Sequence, residues 1–138
     1  MGFVPLLRSF VSSYQSQIYN KIMLTLYGIP NCNTVKKTRT WLEENNVEYS
    51  FHDYKKLGVT QSKIENWMAQ QPWEKLVNRA GMTYRKLSDE EKAAVNDNAS
   101  AARLMMEKSS VIKRPIVERD GDIVALGFKE EDYQKLFG

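Results

Sequence analysis

The residue best suited to do chemistry in this sequence is a cysteine, Cys32, in the stretch YGIPNCNTVKKTRTWLEEN. It follows a short apolar run and precedes a pattern of helical period, so we expect it at the first turn of a helix. Unpaired backbone amides and the positive end of the helix dipole favour a thiolate there. Only the thiolate is a good nucleophile, so the position predicts thiol chemistry.

The neighbours of Cys32 fit this role. Asn33 and Thr34 can offer further hydrogen-bond donors, and Lys36 adds positive charge one turn along. Pro30 shapes the loop that leads into the helix. The alternative is that the cysteine is only a packing residue, since free cysteines are often buried and inert. Its place on a strand-to-helix loop favours function, because such loops carry function on a rigid frame.

A second candidate is the pair Arg114-Pro115, which opens a later strand. A proline cannot donate to a strand ladder, so this one is suited to a sheet edge or to a cis peptide bond. If the segment lies beside the helix that begins near Cys32, Arg114 could hold an anionic substrate or stabilise the thiolate. The other interpretation, equally open from the sequence, is a solvated surface arginine.

His52 could form a catalytic pair with the cysteine. It lies within an alternating stretch, however, and the pattern favours an ordinary sheet residue. The chain has one cysteine and one histidine, so we expect no metal site.

Composition describes a globular protein of one domain. The 138 residues include 42% hydrophobic and 27% charged residues, with a net charge of +3. Basic residues are interspersed with acids, which disfavours direct nucleic-acid binding. A lone cysteine fits a reducing compartment, and no apolar run approaches the ~20 residues of a membrane span. We therefore expect a cytoplasmic protein that does not contact a membrane.

The first 22 residues read differently, with serines and basic residues but no acids. They could be a transit peptide, or Met23 could be the natural start with a mis-assigned extension upstream. We favour the second interpretation because the first strand begins at Met23 with nothing missing. Residues 1–22 are thus expected to form an N-terminal extension outside the core, followed by a domain over residues 23–138.

Hydrophobic periodicity predicts the order of elements. A strand at 23–28, a helix from Asn33 to about 45 and a strand at 47–54 form a βαβ unit with parallel strands. Helices follow, with Thr60 as an N-cap and a capping box that begins at Ser88. A hairpin over 114–127 and a helix over 129–137 complete the chain. The pattern predicts an α/β fold, with a thioredoxin-like four-stranded mixed sheet and a helical insertion at about 60–109.

Two separated stretches, YGIPNCNTVKKTRTWLEENNVEYSFHDYKK and IKRPIVERDGDIVALGF, resemble the ArsC/Spx family of thioredoxin-fold proteins, with its YffB-like branch as the closest match. The resemblance covers about residues 23 to 138. It implies a nucleophilic cysteine at the start of the first helix, here Cys32. It also implies a basic residue before a cis-proline, here Arg114 before Pro115.

Arsenate reductases of this family surround the thiolate with three arginines. By the resemblance, one of these falls at Arg114, another at Asn78 with Arg79 adjacent, and the third near Gly127, where the sequence has no cation. An oxyanion site needs several fixed positive donors. The resemblance makes arsenate reduction, coupled to glutathione and glutaredoxin, one candidate function. Because one of the three arginines has no counterpart, we treat it as an alternative to the main hypothesis given below.

Spx-type regulators of the family bind RNA polymerase and typically carry a Cys-x-x-Cys redox switch. Val35 occupies the second position here, so the switch is missing, although a polymerase contact remains a second alternative.

The YffB-like branch carries a single cysteine and implies a glutathione-dependent thiol reductase, which is the main hypothesis. Without a second cysteine, turnover must use an external thiol such as glutathione. Lys36, Arg79 and Arg114 are the candidates to receive the glutathione carboxylates. We expect glutathione as a co-substrate with no bound cofactor, glutathione or glutaredoxin as partner, and a monomer.

Overall fold

A computed structural model describes residues 24–138; the predicted extension at 1–22 lies outside the described residues. The strands are β1 Leu24–Gly28, β2 Ser50–Asp53, β3 Ile116–Arg119 and β4 Asp122–Leu126. The helices are α1 Asn33–Glu44, α2 Tyr54–Leu57, α3 Gln61–Gln70, α4 Trp73–Leu76, α5 Met82–Arg85, α6 Asp89–Ala94, α7 Asn98–Glu107 and α8 Glu130–Phe137. A 3-10 turn, Ser109–Val111, follows α7.

The described strands form one mixed sheet in the order β2-β1-β3-β4. β1 is parallel to β2 and antiparallel to β3, and β3 is antiparallel to β4. The predicted four-stranded mixed sheet is thus confirmed. The β3–β4 turn is Asp120-Gly121, with φ of 53° and 85°, as a two-residue hairpin turn with two left-handed positions requires.

Each face of the sheet carries its own buried cluster. One face packs on α1 and α8, and its buried cluster consists of Leu24, Leu26, Val35, Trp41, Leu42, Val117 and Tyr133. The other face packs on the helices between β2 and β3, and its cluster includes Tyr27, Tyr54, Ile64, Trp67, Leu76, Met105 and Ile116. Side chains alternate between the faces along each strand, so Ile116 and Val117 fall in different clusters.

A buried carboxylate fastens α3 to the sheet. Glu118 of β3 is 4% exposed. It accepts hydrogen bonds from the Tyr27 hydroxyl at 3.0 Å, the Lys63 ammonium at 2.8 Å and the Trp67 indole N–H at 3.0 Å. The rings of Tyr27 and Trp67 meet edge to face, with centroids 5.0 Å apart. Three donors thus satisfy a charged group that would be costly to bury alone.

The C-terminal end of α3 also contacts the hairpin. The side-chain amides of Asn66 and Gln70 each donate to the Gly121 carbonyl at 2.9 Å. The Gln70 Oε1 in turn accepts the backbone N–H of Ile123 at 2.7 Å. The side chain of Gln70 therefore bridges the turn and the first part of β4.

The local structure differs from the sequence prediction mainly around β2. The strand covers Ser50–Asp53 rather than 47–54. It ends at Asp53 because this residue caps α2, accepting the N–H groups of Lys55 and Lys56, both at 3.1 Å. Tyr54 therefore begins a helical turn instead of ending the strand. Helices of four residues, such as α2 and α5, are too short to show a hydrophobic period, which is why the sequence pattern did not indicate them.

The predicted helix starts are borne out. Thr60 accepts the N–H of Lys63 at 3.2 Å, and Ser88 and Glu91 form both halves of a capping box. The helices α3 to α7 lie within the predicted insertion at about 60–109. Among residues 24–138, no helix is both long and apolar enough to cross a membrane.

Candidate active site

Cys32 lies at the end of the loop that joins β1 to α1. It is the N-cap of α1, with extended backbone angles, and its carbonyl accepts the N–H of Lys36 at 2.9 Å. The loop is held close to the helix at Gly28, where a Cβ atom would lie only 2.8 Å from a Val35 methyl group. Glycine therefore lets the end of the strand approach α1. The thiol is half-buried against the α1–α8 cluster.

The surroundings of Cys32 favour its thiolate. Burial raises the pKa of the thiol, but hydrogen bonds from the Val35 N–H, the Arg114 guanidinium and the Thr34 N–H lower it, as does the charge of Arg114. The net result is a pKa below the ordinary value of a cysteine. The helix start and Arg114 thus act together on the sulfur, as expected for a reactive cysteine.

Arg114 is held in place from two sides. Its guanidinium donates to the Ser110 carbonyl at 2.8 Å. Burial lowers the pKa of Arg114, but the neighbouring Tyr54 and Cys32 raise it further, so the net direction is upward. Tyr54 is fully buried, and its hydroxyl donates to the Ile112 carbonyl at 3.0 Å. The sequence prediction did not include Tyr54 as a site residue.

The peptide bond between Arg114 and Pro115 is cis. Beyond the proline, its carbonyl accepts the N–H of Gly127 at 2.8 Å, which joins this segment to the end of β4. Arg114 therefore sits between a helical turn and the first residue of β3, next to the sulfur.

The predicted loop residues are near the thiol but exposed. Pro30 lies two residues before Cys32, and Asn33 is the first residue of α1. Lys36 is also exposed, and it is not among the groups that lower the pKa of Cys32. Its predicted role toward a substrate carboxylate remains a prediction.

Asn78 and Arg79 line an open groove of about 380 Å³, together with Lys113. Neither residue is among the groups that shift the pKa of Cys32. Arg79 is exposed, with its guanidinium carbon 5.9 Å from the centre of the Trp73 ring. The sequence comparison placed no cation near Gly127. In the structure, the Lys113 side chain passes 3.4 Å from where a Gly127 Cβ atom would lie. Position 127 itself has no cation, as the sequence indicates, but a lysine from a neighbouring segment runs beside it.

His52 is a sheet residue, as the alternation predicted. Its Nε2 lies 2.9 Å from the Gly58 carbonyl, and its ring centroid is 4.8 Å from that of Tyr27. In the part of the chain from 24 onward, no three side chains of the metal-ligating kinds come together.

Replacing Arg114 with glutamine is expected to slow alkylation of Cys32 by iodoacetamide at neutral pH by at least about threefold. The guanidinium lowers the thiol pKa, so its removal moves the pH–rate curve to higher pH and leaves less thiolate at pH 7. The rate is measured across pH 4 to 9. Arg103→Gln, which removes an exposed arginine on α7, is the control. Superimposable curves for wild type and Arg114→Gln would contradict the role assigned to Arg114.

Comparisons with known proteins place the chain in a family. The ArsC family model matches residues 27–136, and the chain belongs to this family. An uncharacterized protein of Haemophilus influenzae is 38% identical over 115 residues, which cover 83% of this chain and 99% of that protein. A protein of Enterococcus faecalis named global transcriptional regulator Spx is 25% identical over 117 residues, covering 83% of this chain and 86% of that protein.

Solved structures agree with the fold. A protein named YFFB is 43% identical, with a TM-score of 0.78, and the match covers 83% of this chain and 99% of that one. An arsenate reductase (ArsC) related protein of Brucella melitensis is 46% identical, with a TM-score of 0.68 and coverage of 83% and 93%. The fold is therefore the thioredoxin-like fold of the ArsC family.

Proposed function

We propose that the protein reduces glutathione mixed disulfides through Cys32, with glutathione as its second substrate and no bound cofactor. The observation that carries the proposal is the thiol itself: it is half-buried at a helix start, and two backbone N–H groups and Arg114 together lower its pKa. Family membership supports the same chemistry, because the match includes the segments that hold both Cys32 and Arg114.

In the first step, the Cys32 thiolate attacks the glutathionyl sulfur of the substrate disulfide. A new sulfur–sulfur bond joins Cys32 to glutathione, and the original disulfide bond breaks. Its electron pair leaves with the substrate sulfur, which takes a proton from water. Arg114, beside the Cys32 sulfur, keeps the attacking group ionised.

In the second step, the thiolate of a free glutathione attacks the glutathionyl sulfur bound to Cys32. Glutathione disulfide forms, and the electron pair returns to the Cys32 sulfur, which is released as a thiolate. A second molecule is required because the chain has one cysteine. Val35, where a Cys-x-x-Cys motif has its second cysteine, is buried and apolar.

The direct test is to trap the intermediate. The protein is mixed with a glutathionylated peptide, quenched with acid and analysed by intact mass and peptide mapping. We expect one glutathione on Cys32, lost again when free glutathione is added. Absence of the adduct at every time, with the peptide still glutathionylated, would reject the proposed function.

Arsenate reduction is the second candidate, favoured by the 46% identity to a protein described as arsenate reductase related. Arg114 beside the thiol could neutralise one oxyanion charge. The same protein preparation is therefore assayed with arsenate, glutathione and glutaredoxin. Arsenate turnover without glutathionyl transfer to Cys32 would favour this candidate over the first.

A regulatory role is the third candidate function, and it is based on relatives named Spx that are at most 25% identical to this chain. The family resemblance would then imply a contact with RNA polymerase. Polymerase capture that is unchanged by Cys32→Ser, together with no thiol turnover, would favour it.

A further inference from the structure

The groove that Asn78, Arg79 and Lys113 line is built by a short strand-like pairing outside the main sheet. Val77 and Ile112 form an antiparallel bridge. The N–H of Lys113 donates to the Leu76 carbonyl, and the N–H of Asn78 to the Val111 carbonyl, both at 2.7 Å. The pairing fixes the segment after α4 against the segment that leads to Arg114. Two stretches far apart in sequence thus share one surface.

Charge along this surface is mostly positive. The groove is lined by Lys75, Arg79 and Lys113, with Glu74 as its one acidic lining residue. Within residues 24–138, no carboxylate oxygen lies within 4.0 Å of the three cationic groups. An anionic ligand could therefore contact them without displacing an existing ion pair.

Lys113 differs from the other two cations because its stem is partly ordered. It is half-buried, while Lys75 and Arg79 are exposed. Its Cε lies 3.4 Å from the position of a Gly127 Cβ atom, so the side chain runs across the glycine. Packing of the stem reduces the rotamer entropy that would be lost when the ammonium binds a ligand.

The groove and the reactive sulfur are contacted by two adjacent residues of the chain. Lys113 directly precedes Arg114, and consecutive Cα atoms are about 3.8 Å apart. The Arg114 guanidinium faces Cys32, while Lys113 lines the groove. A peptide thiol that is joined to Cys32 and extends past Arg114 would therefore bring one of its ends toward Lys113.

We propose that this groove, defined by Lys75, Arg79 and Lys113, binds a carboxylate of the peptide thiol that is transferred to Cys32, with Lys113 as the residue that determines specificity. The proposal rests on the proposed function and names its substrate class: short peptide thiols with a free carboxylate. Neutral disulfides lack the group that the three cations would bind. Selectivity thus comes from charge next to the sulfur, and the reacting sulfur atoms are the same in both kinds of substrate.

The test measures binding without chemistry. S-methylglutathione, which cannot form a disulfide, and its dimethyl ester, which has no free carboxylate, are titrated calorimetrically into the full chain. We expect Lys113→Gln to weaken binding of S-methylglutathione by roughly fivefold to tenfold and to leave the diester unchanged. Lys113→Arg should keep most of the affinity, and added salt should weaken only the charged ligand.

The control is Lys135→Gln. Lys135 is exposed in the last turn of α8, and its neighbours Leu136 and Phe137 line a hollow beside Leu24, at the far end of β1 from Cys32. No measurable binding of S-methylglutathione to wild type, or equal losses for the acid and the diester in Lys113→Gln, would overturn the proposal. The trapping experiment reports on Cys32 separately. If the adduct on Cys32 forms but Lys113→Gln does not weaken binding of S-methylglutathione, only the carboxylate site in the groove is rejected. If Lys113→Gln weakens that binding but no adduct forms, only the reductase function is rejected.

Discussion

Cys32→Ser is expected to lower the rate of glutathione mixed-disulfide reduction by at least about a thousandfold. A serine hydroxyl is not ionised by a helix start and one arginine at neutral pH, so the step that forms the covalent adduct is lost. Turnover is followed as NADPH consumption, with glutathione and glutathione reductase supplied. The loss should appear in kcat, because serine leaves the groove and its cations unchanged.

The control for this comparison is Thr40→Ser, a small change on an exposed face of the same helix. It should keep the wild-type rate within about twofold, since surface substitutions away from special features have small effects. Thermal unfolding of both variants checks that the fold is intact. Wild-type turnover by a folded Cys32→Ser protein would show that the thiol is only a packing residue.

Glu118→Ala is expected to have the largest effect on stability, a loss of about 3–5 kcal/mol in the free energy of unfolding. The substitution leaves the Lys63 ammonium, the Tyr27 hydroxyl and the Trp67 indole N–H without their shared acceptor. The two buried donors, on Tyr27 and Trp67, each add a desolvation cost of their own, whereas the partly exposed Lys63 can be hydrated. The change is measured by urea unfolding, followed by tryptophan fluorescence.

Two variants separate the causes. Glu118→Gln keeps one acceptor oxygen but removes the charge that faces Lys63, so we expect an intermediate loss. Glu107→Ala, which removes an exposed carboxylate at the end of α7, should change stability by less than about 0.5 kcal/mol. Equal stabilities for Glu118→Ala and Glu107→Ala would show that the buried network contributes nothing.

The parts of the site that the sequence predicts are those encoded locally. A cysteine that follows a turn and precedes a pattern of helical periodicity is predicted to lie at the start of a helix, and Cys32 is the N-cap of α1. The capping box at Ser88 is predictable for the same reason, because both partners lie within one turn. The parallel pairing of β1 with β2 was predicted from the strand–helix–strand pattern and the rule for parallel connections.

Other parts depend on which segments meet in space. Tyr54 reaches Arg114 because a capping aspartate turns the chain after β2, and Lys113 reaches Gly127 because the segment before β3 runs beside the end of β4. Neither contact is reflected in a periodic pattern of the sequence. The pair Lys113-Arg114 was itself a usable signal, since two adjacent cations before a strand can act on two sides of it.

The contacts of Gln70 with the hairpin have a consequence for association between chains. Among the strands of residues 24–138, β4 lies at an edge of the sheet, and the free N–H groups of an edge strand can pair with a strand of another molecule. The Ile123 N–H is already bonded to the Gln70 side chain, and the Gly121 carbonyl accepts the amides of Asn66 and Gln70. The beginning of β4 is thus closed to such pairing, which protects this edge from aggregation.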